Sequence, residues 1–168
     1  QANWADVYTT INAANLILKY TPNIAFASEE SKNKVLANAY YVRAFCYYWI
    51  GRVWGDAPVL LEGFESDKQE GLFPTRDAAD MVFKQVGDDI DAALNLIPSS
   101  VTDRNLASQG SLNMLKADYN LWIYKVRNGG DAALDRASTA INAVLNNSNY
   151  SLISDYSSIF ENEQGPEI

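Results

Sequence analysis

Histidine is absent from this sequence, and cysteine occurs once, at Cys46. A structural zinc site takes about four Cys or His ligands, so none can be built here. A Ser-His-Asp triad or a histidine general base is excluded for the same reason. One cysteine cannot close a disulfide within the chain, which leaves the redox compartment open. Cys46 lies inside a helical pattern, where it reads as a small core hydrophobe rather than a reactive thiol. No basic run breaks the acidic balance of 13 Lys and Arg against 21 Asp and Glu. A nucleic-acid binder would show a basic stripe, so that class is set aside. No apolar run reaches the ~18–20 residues that a bilayer span needs.

What is present is apolar and aromatic. Hydrophobic residues make up 48% of the 168, and charged residues 20%, which describes one globular domain of ordinary size with a core of its own. The first residues, Gln1-Ala2-Asn3-Trp4, and the last, Gly165-Pro166-Glu167-Ile168, carry neither an initiating methionine nor helix-ending logic. Both ends are expected to be cuts in a longer protein, so the lack of a signal peptide says nothing about location.

The chain is organised around Ala37–Leu61, a dense aromatic helix that stops at the turn Gly55-Asp56-Ala57-Pro58 and continues as the extended run Val59-Leu60-Leu61. A helix holding Tyr40, Tyr41, Phe45, Tyr47, Tyr48, Trp49 and Trp54 is expected to be covered by other segments. Its seam is Leu36, Ala39, Arg43, Cys46, Ile50 and Val53. Arg43 thus falls on an apolar stripe. A buried guanidinium needs a partner, and Asp89 or Asn15 is expected to supply it; an anion clamp is the other reading.

Upstream, Trp4, Tyr8, Ile11, Asn15 and Leu18 form a four-three-four-three stripe on a first helix that Pro22 ends. Asn15 on that stripe reads as a partly buried side chain bonding neighbouring backbone. Ser28-Glu29-Glu30 is a start signal for the central helix. Residues 55–75 show no helical period, and Phe64 and Phe73 are the loop's isolated aromatics. They are the candidate ligand contacts, or they pin a surface excursion. A third helix runs from about Arg76 to Ile97 before Pro98, with Gly87 suggesting close approach of another helix. The adjacent carboxylates Asp88, Asp89 and Asp91 face different ways and do not converge on a metal. Two more helices, about Ser111–Val126 and Asp131–Leu145, flank Arg127-Asn128-Gly129-Gly130 as an αα-hairpin rich in alanine. The segment 146–168 is expected to be irregular, with one short helix at Tyr156–Phe160. The sum is an all-α chain of about five helices with irregular loops at 55–75 and 146–168, similar to a tetratricopeptide-like (TPR-like) α-α superhelix.

Four stretches, in order, resemble the SusD-like (SusD/RagB) outer-membrane nutrient-binding lipoproteins. They are Trp4 with Tyr8 and Asn15; Arg43-Ala44-Phe45 with Tyr47 and then Trp54-Gly55-Asp56-Ala57-Pro58-Val59-Leu60; Pro74-Thr75-Arg76 with Asp89-Ile90, Ala93 and Leu96-Ile97-Pro98; and Gly129-Gly130-Asp131 with Ala137, Tyr150 and Phe160. The second is the most specific. Lys116, Asp118 and Gly110-Ser111 depart from the family's pattern. The resemblance implies that residues 1–168 are a single helical, N-terminal part of a much longer protein. Asn15, Arg43, Asp89, Gly55, Asp56 and Pro58 would be structural there. It implies a non-catalytic scaffold, without cofactor, in a surface lipoprotein of the outer membrane. Such a protein captures oligosaccharides for a TonB-dependent transporter and is anchored by a lipid on a cysteine upstream of this chain. No binding residue carries over. The other reading of the same helix pairs is a helical-repeat module that binds a peptide or protein. A two-carboxylate glycosidase is disfavoured because no pair of acids is fixed across a cleft.

Overall fold

A computed structural model describes residues 4–100, 103, 105–152, 154 and 156. The chain divides into two compact units, residues 1–96 and 97–168. Among the described residues the regular structure is helical: α1 (Ala5–Tyr20), α2 (Glu29–Trp54), α3 (Ala79–Leu96), α4 (Gln109–Val126) and α5 (Gly130–Leu145), with a 3₁₀ turn at Thr21–Asn23. No helix among them is long and apolar enough to cross a membrane.

In the first unit, α2 is the central element and packs against both α1 and α3. Its start follows the sequence logic. The Ser28 hydroxyl accepts the Ser31 amide at 3.1 Å, while Glu29 and Glu30 sit in the first turn, where the helix dipole favours negative charge. Its end depends on Gly55, at φ +72°, a conformation a side chain would resist. Twenty-six residues make a rod of about 39 Å. The face turned to its neighbours alternates large and small groups: Tyr47, Tyr48 and Ile50 fill space, while Ala37, Ala39, Ala44 and Gly51 let backbones approach. The tight approach of α2 and α3 falls at Gly51, where an added Cβ would lie 2.9 Å from the Phe83 ring. Helix α3 supplies Val82, Phe83, Val86, Ile90 and Ala93, one apolar stripe at helical spacing.

The expectation that other segments cover the aromatics of α2 fails on one face among the described residues. Phe45 is 45% exposed and Trp49 46%. They continue a row with Tyr41, each neighbouring pair of ring centroids 6.3 Å apart, and Arg52 lies over Trp49 at 5.2 Å. Val53, expected on the seam, joins this outer face at 52% exposure. The reason is a tilt of the seam. The buried positions 37, 44, 48 and 51, together with 39, 43, 47 and 50, make one broad face, and the residues 42, 45, 49 and 53 stand opposite it.

The second unit is the α4–α5 hairpin. Ser108 and Ser111 cap α4 reciprocally, Ser108 Oγ accepting the Ser111 amide at 3.2 Å and Ser111 Oγ accepting the Ser108 amide at 2.9 Å. Asn128 and Gly130 take positive φ in the connecting turn, at 54° and 66°. Ala117, Ala133, Ala137 and Ala140 are buried with Leu112, Leu115 and Val144. Asn120 is also buried, and its Oδ1 accepts from Arg136 Nε at 2.9 Å. Gly110 meets the ring of Tyr150, where a Cβ would lie 2.4 Å away, and the Tyr150 hydroxyl accepts the Gly110 amide at 3.0 Å. The short helix expected at Tyr156–Phe160 lies, apart from Tyr156 itself, outside the described residues.

Candidate functional site: the Arg43 network and the loop it anchors

Arg43 is 6% exposed, and Asp89 and Asn15 are more deeply buried still. Its guanidinium donates Nε–H to Asp89 Oδ2 at 2.8 Å and Nη2–H to Asp89 Oδ1 at 2.6 Å, a two-point ion pair. Its Nη1 donates to Asn15 Oδ1 at 2.7 Å. Both expected partners are therefore engaged at once, and three helices meet on one cation. Gln85 Nε2 adds a bond to Asp89 Oδ1 at 2.9 Å. Burial pushes the Asp89 carboxyl up, and the bonds from Arg43 oppose that rise.

Asn15 relays this network to the loop. While its oxygen accepts from Arg43, its Nδ2 donates to the carbonyls of Leu60 and Glu62, at 2.9 and 3.1 Å. Every bond its amide can make through nitrogen is thereby used. Two further side chains act as surrogate strand neighbours for the loop. The Tyr47 hydroxyl accepts the Leu60 amide at 2.7 Å and donates to the Leu60 carbonyl at 2.9 Å. The Asn12 amide group does the same for Phe64, accepting at 2.6 Å and donating at 3.0 Å. Tyr8 donates to the Pro58 carbonyl at 2.7 Å. Burial is the first cause that pushes Tyr8 up to about 12, with Asp77 second; burial likewise raises Tyr47.

The Gly55-Asp56-Ala57-Pro58 turn has its own task. The Asp56 carboxylate accepts the Ala79 amide at 2.8 Å, so it caps α3 from 23 residues upstream. Ala57 and Asp77 exchange backbone bonds as an isolated antiparallel bridge, and Asp77 Oδ2 accepts the Val59 amide at 2.8 Å. This explains why α3 starts at Ala79 rather than at Arg76.

Of the loop aromatics, Phe64 is half-buried and sits beside Gly71. Phe73 is 98% exposed, so it pins nothing, and the reading of a loop held by its two phenylalanines is corrected. The anchors are Asn12, Asn15, Tyr8 and Tyr47. Sequence reasoning had flagged only Asn15 among them as a polar residue needing a partner; Asn12, four residues from Leu16 and Tyr8, gave no periodic signal.

Between α1, α2 and the loop lies a cleft of about 570 Å³, lined by Asn15, Lys19, Tyr40, Arg43, Glu62 and Gln69 among others. Lys19 pairs with Glu65 across its edge. Gly63 closes the loop against α1 so tightly that a Cβ would sit 2.5 Å from Leu16.

Residues 1–111 match the sequence model of a SusD-like family described as starch-binding and associating with the outer membrane. SusD-like protein P25 of Formosa agariphila is 28% identical over 169 residues, covering 98% of this chain and 30% of its own length. Among solved structures, NanU of B. fragilis superposes with a TM-score of 0.87 at 30% identity, covering 99% of this chain and 34% of its own. A SusD superfamily protein from Bacteroides vulgatus does so with a TM-score of 0.86 at 28% identity, covering 98% and 34%. The chain thus spans about a third of the length of the relatives it matches. Its all-helical, TPR-like fold is theirs, and the chain belongs to the SusD-like family.

Proposed function

We propose that this chain is the non-catalytic helical scaffold of a cell-surface glycan-binding lipoprotein that works with a TonB-dependent outer-membrane transporter in nutrient uptake. The observation that carries this reading is the match over residues 1–111 to a family described as starch-binding and outer-membrane-associated. The residues of the most specific motif support it by what they do. Arg43 and Tyr47 tie α2 to α1, α3 and the loop, and Gly55, Asp56 and Pro58 shape the turn that caps α3. Each has a mechanical role, as a scaffold requires, and none is left as an activated nucleophile. The lipid anchor and the surfaces that dominate glycan capture belong to the rest of the parent protein in this reading.

Two measurements on the full-length protein test it. Affinity electrophoresis in gels containing starch and other polysaccharides is expected to retard it. A pull-down from outer membranes is expected to recover a β-barrel transporter. Recovery of a soluble peptide-tailed partner would favour a helical-repeat recognition module instead. Glycan turnover abolished by one carboxylate substitution would overturn the non-catalytic reading.

A further inference from the structure

The cleft beside Arg43 has a chemistry that the scaffold role does not use. Arg43 carries five N–H groups, and three are taken by Asp89 and Asn15. The other two, on the terminal nitrogens, have no acceptor among the described residues, although the side chain is almost wholly buried and lines the cleft. Tyr40 contributes a half-buried ring, with the guanidinium 5.4 Å from its centroid. Glu62 is exposed at the rim, and its carboxylate makes no ion pair with a described residue. The two cations of the cleft are already neutralised, Arg43 by Asp89 and Lys19 by Glu65. Glu62 therefore leaves a net negative charge at the opening, which repels anions. A volume of about 570 Å³ falls in the range of small-molecule sites, roughly 300–1,000 Å³.

We infer that this cleft binds one residue of a neutral sugar, with the ring of Tyr40 packed on its apolar face, Arg43 donating to its oxygens and Glu62 accepting from its hydroxyls. The inference rests on the glycan-binding reading and adds a subsite within residues 1–96. Hydroxyls serve both as acceptors for Arg43 and as donors to Glu62, which neither an apolar ligand nor a carboxylate can do. An aromatic face beside a few converging polar groups matches the way sites fix a ligand's orientation.

The test uses the full-length protein and saturation-transfer NMR with methyl glycosides of glucose, galactose and xylose, and with glucuronate as the anionic probe. At least one neutral glycoside is expected to bind, and to bind more tightly than glucuronate. Tyr40→Ala and Glu62→Gln are each expected to weaken it about tenfold, the order for one lost bond to a charged group or one lost stacking contact. Glu62→Gln changes an exposed side chain and keeps its shape, so it reports on the cleft even if Tyr40→Ala disturbs folding. Polysaccharide retardation with glycoside binding unchanged in both variants overturns the subsite and leaves the glycan-binding reading standing. Tighter binding of glucuronate overturns the charge argument and with it the proposal. Absence of binding to any glycoside or polysaccharide by the unsubstituted protein overturns both.

Discussion

The two units solve the same problem, holding helices together, by different means. In residues 1–96 a buried cation is the common point of α1, α2 and α3, and polar side chains carry a long loop. In residues 97–168 the described contacts are a short turn, a serine cap, a run of buried alanines and the Asn120–Arg136 hydrogen bond. The difference follows from what each must position. A helical hairpin joined by a tight turn buries its own backbone bonds within helices. The loop from 55 to 78 has one isolated bridge and must find other partners for its amides and carbonyls. Asn12, Asn15 and Tyr47 provide them, and Arg43 holds Asn15 in the orientation that allows it.

The sharpest way to break this comparison is Arg43→Ala. It leaves Asp89 buried without its cation and releases Asn15, so the first unit is expected to lose about 3–5 kcal/mol, the order for breaking a buried pair. Urea denaturation followed by far-UV circular dichroism measures it. Arg43→Leu fills more of the space and is expected to cost less than Ala. Stability unchanged in both would place Arg43 outside the seam. A smaller loss, about 2 kcal/mol, is expected for Asn12→Ala, which strands the amide and carbonyl of Phe64. Proteolysis within residues 62–72 should accelerate in that variant, whereas cleavage of the α4–α5 hairpin should not. In the second unit, Ser108→Ala removes a cap worth about 1 kcal/mol, and thermal melts should show the corresponding small shift.

Much of this was legible in the sequence, for local reasons. The helix start at Ser28, the stop at Gly55 and the turn around Gly129 are written in local residues whose physics is short-range. Arg43 was legible because a charge on an apolar stripe demands a partner, and Asn15 on the stripe of α1 and Asp89 among the carboxylates of α3 each offered one. Two things were not legible. The cap of α3 comes from Asp56, far upstream, so the start expected near Arg76 fell too early. The exposed rings of Phe45 and Trp49 read as core by composition alone. In the structure the buried surface of α2 is filled by Tyr47 and Tyr48 on the opposite side, which uses up the two neighbouring helices. The candidate site was partly legible: Asn15 and Arg43 stood out, but Tyr40 and Glu62 reach the cleft only through the fold of the loop.

A further expectation concerns the reactivity of Cys46 rather than stability. Burial pushes its thiol up to about 11, from an ordinary value of 9.0, so at a given pH below both values its thiolate fraction is about a hundredfold lower than in the unfolded chain. Alkylation by iodoacetamide at pH 8 should be slow in the native protein and should speed up by about that factor in denaturant. Equal rates would mean that α2 does not shield this position.

The central claim is that one buried network holds the first unit, and a double-mutant cycle between Arg43 and Asp89 tests it most directly. Unfolding free energies are measured for Arg43→Ala, Asp89→Ala and the double variant. The account predicts strong non-additivity, with the double variant costing no more than either single one, because each single change orphans the remaining partner. Additive losses would contradict it and would mean that the two side chains are stabilised independently.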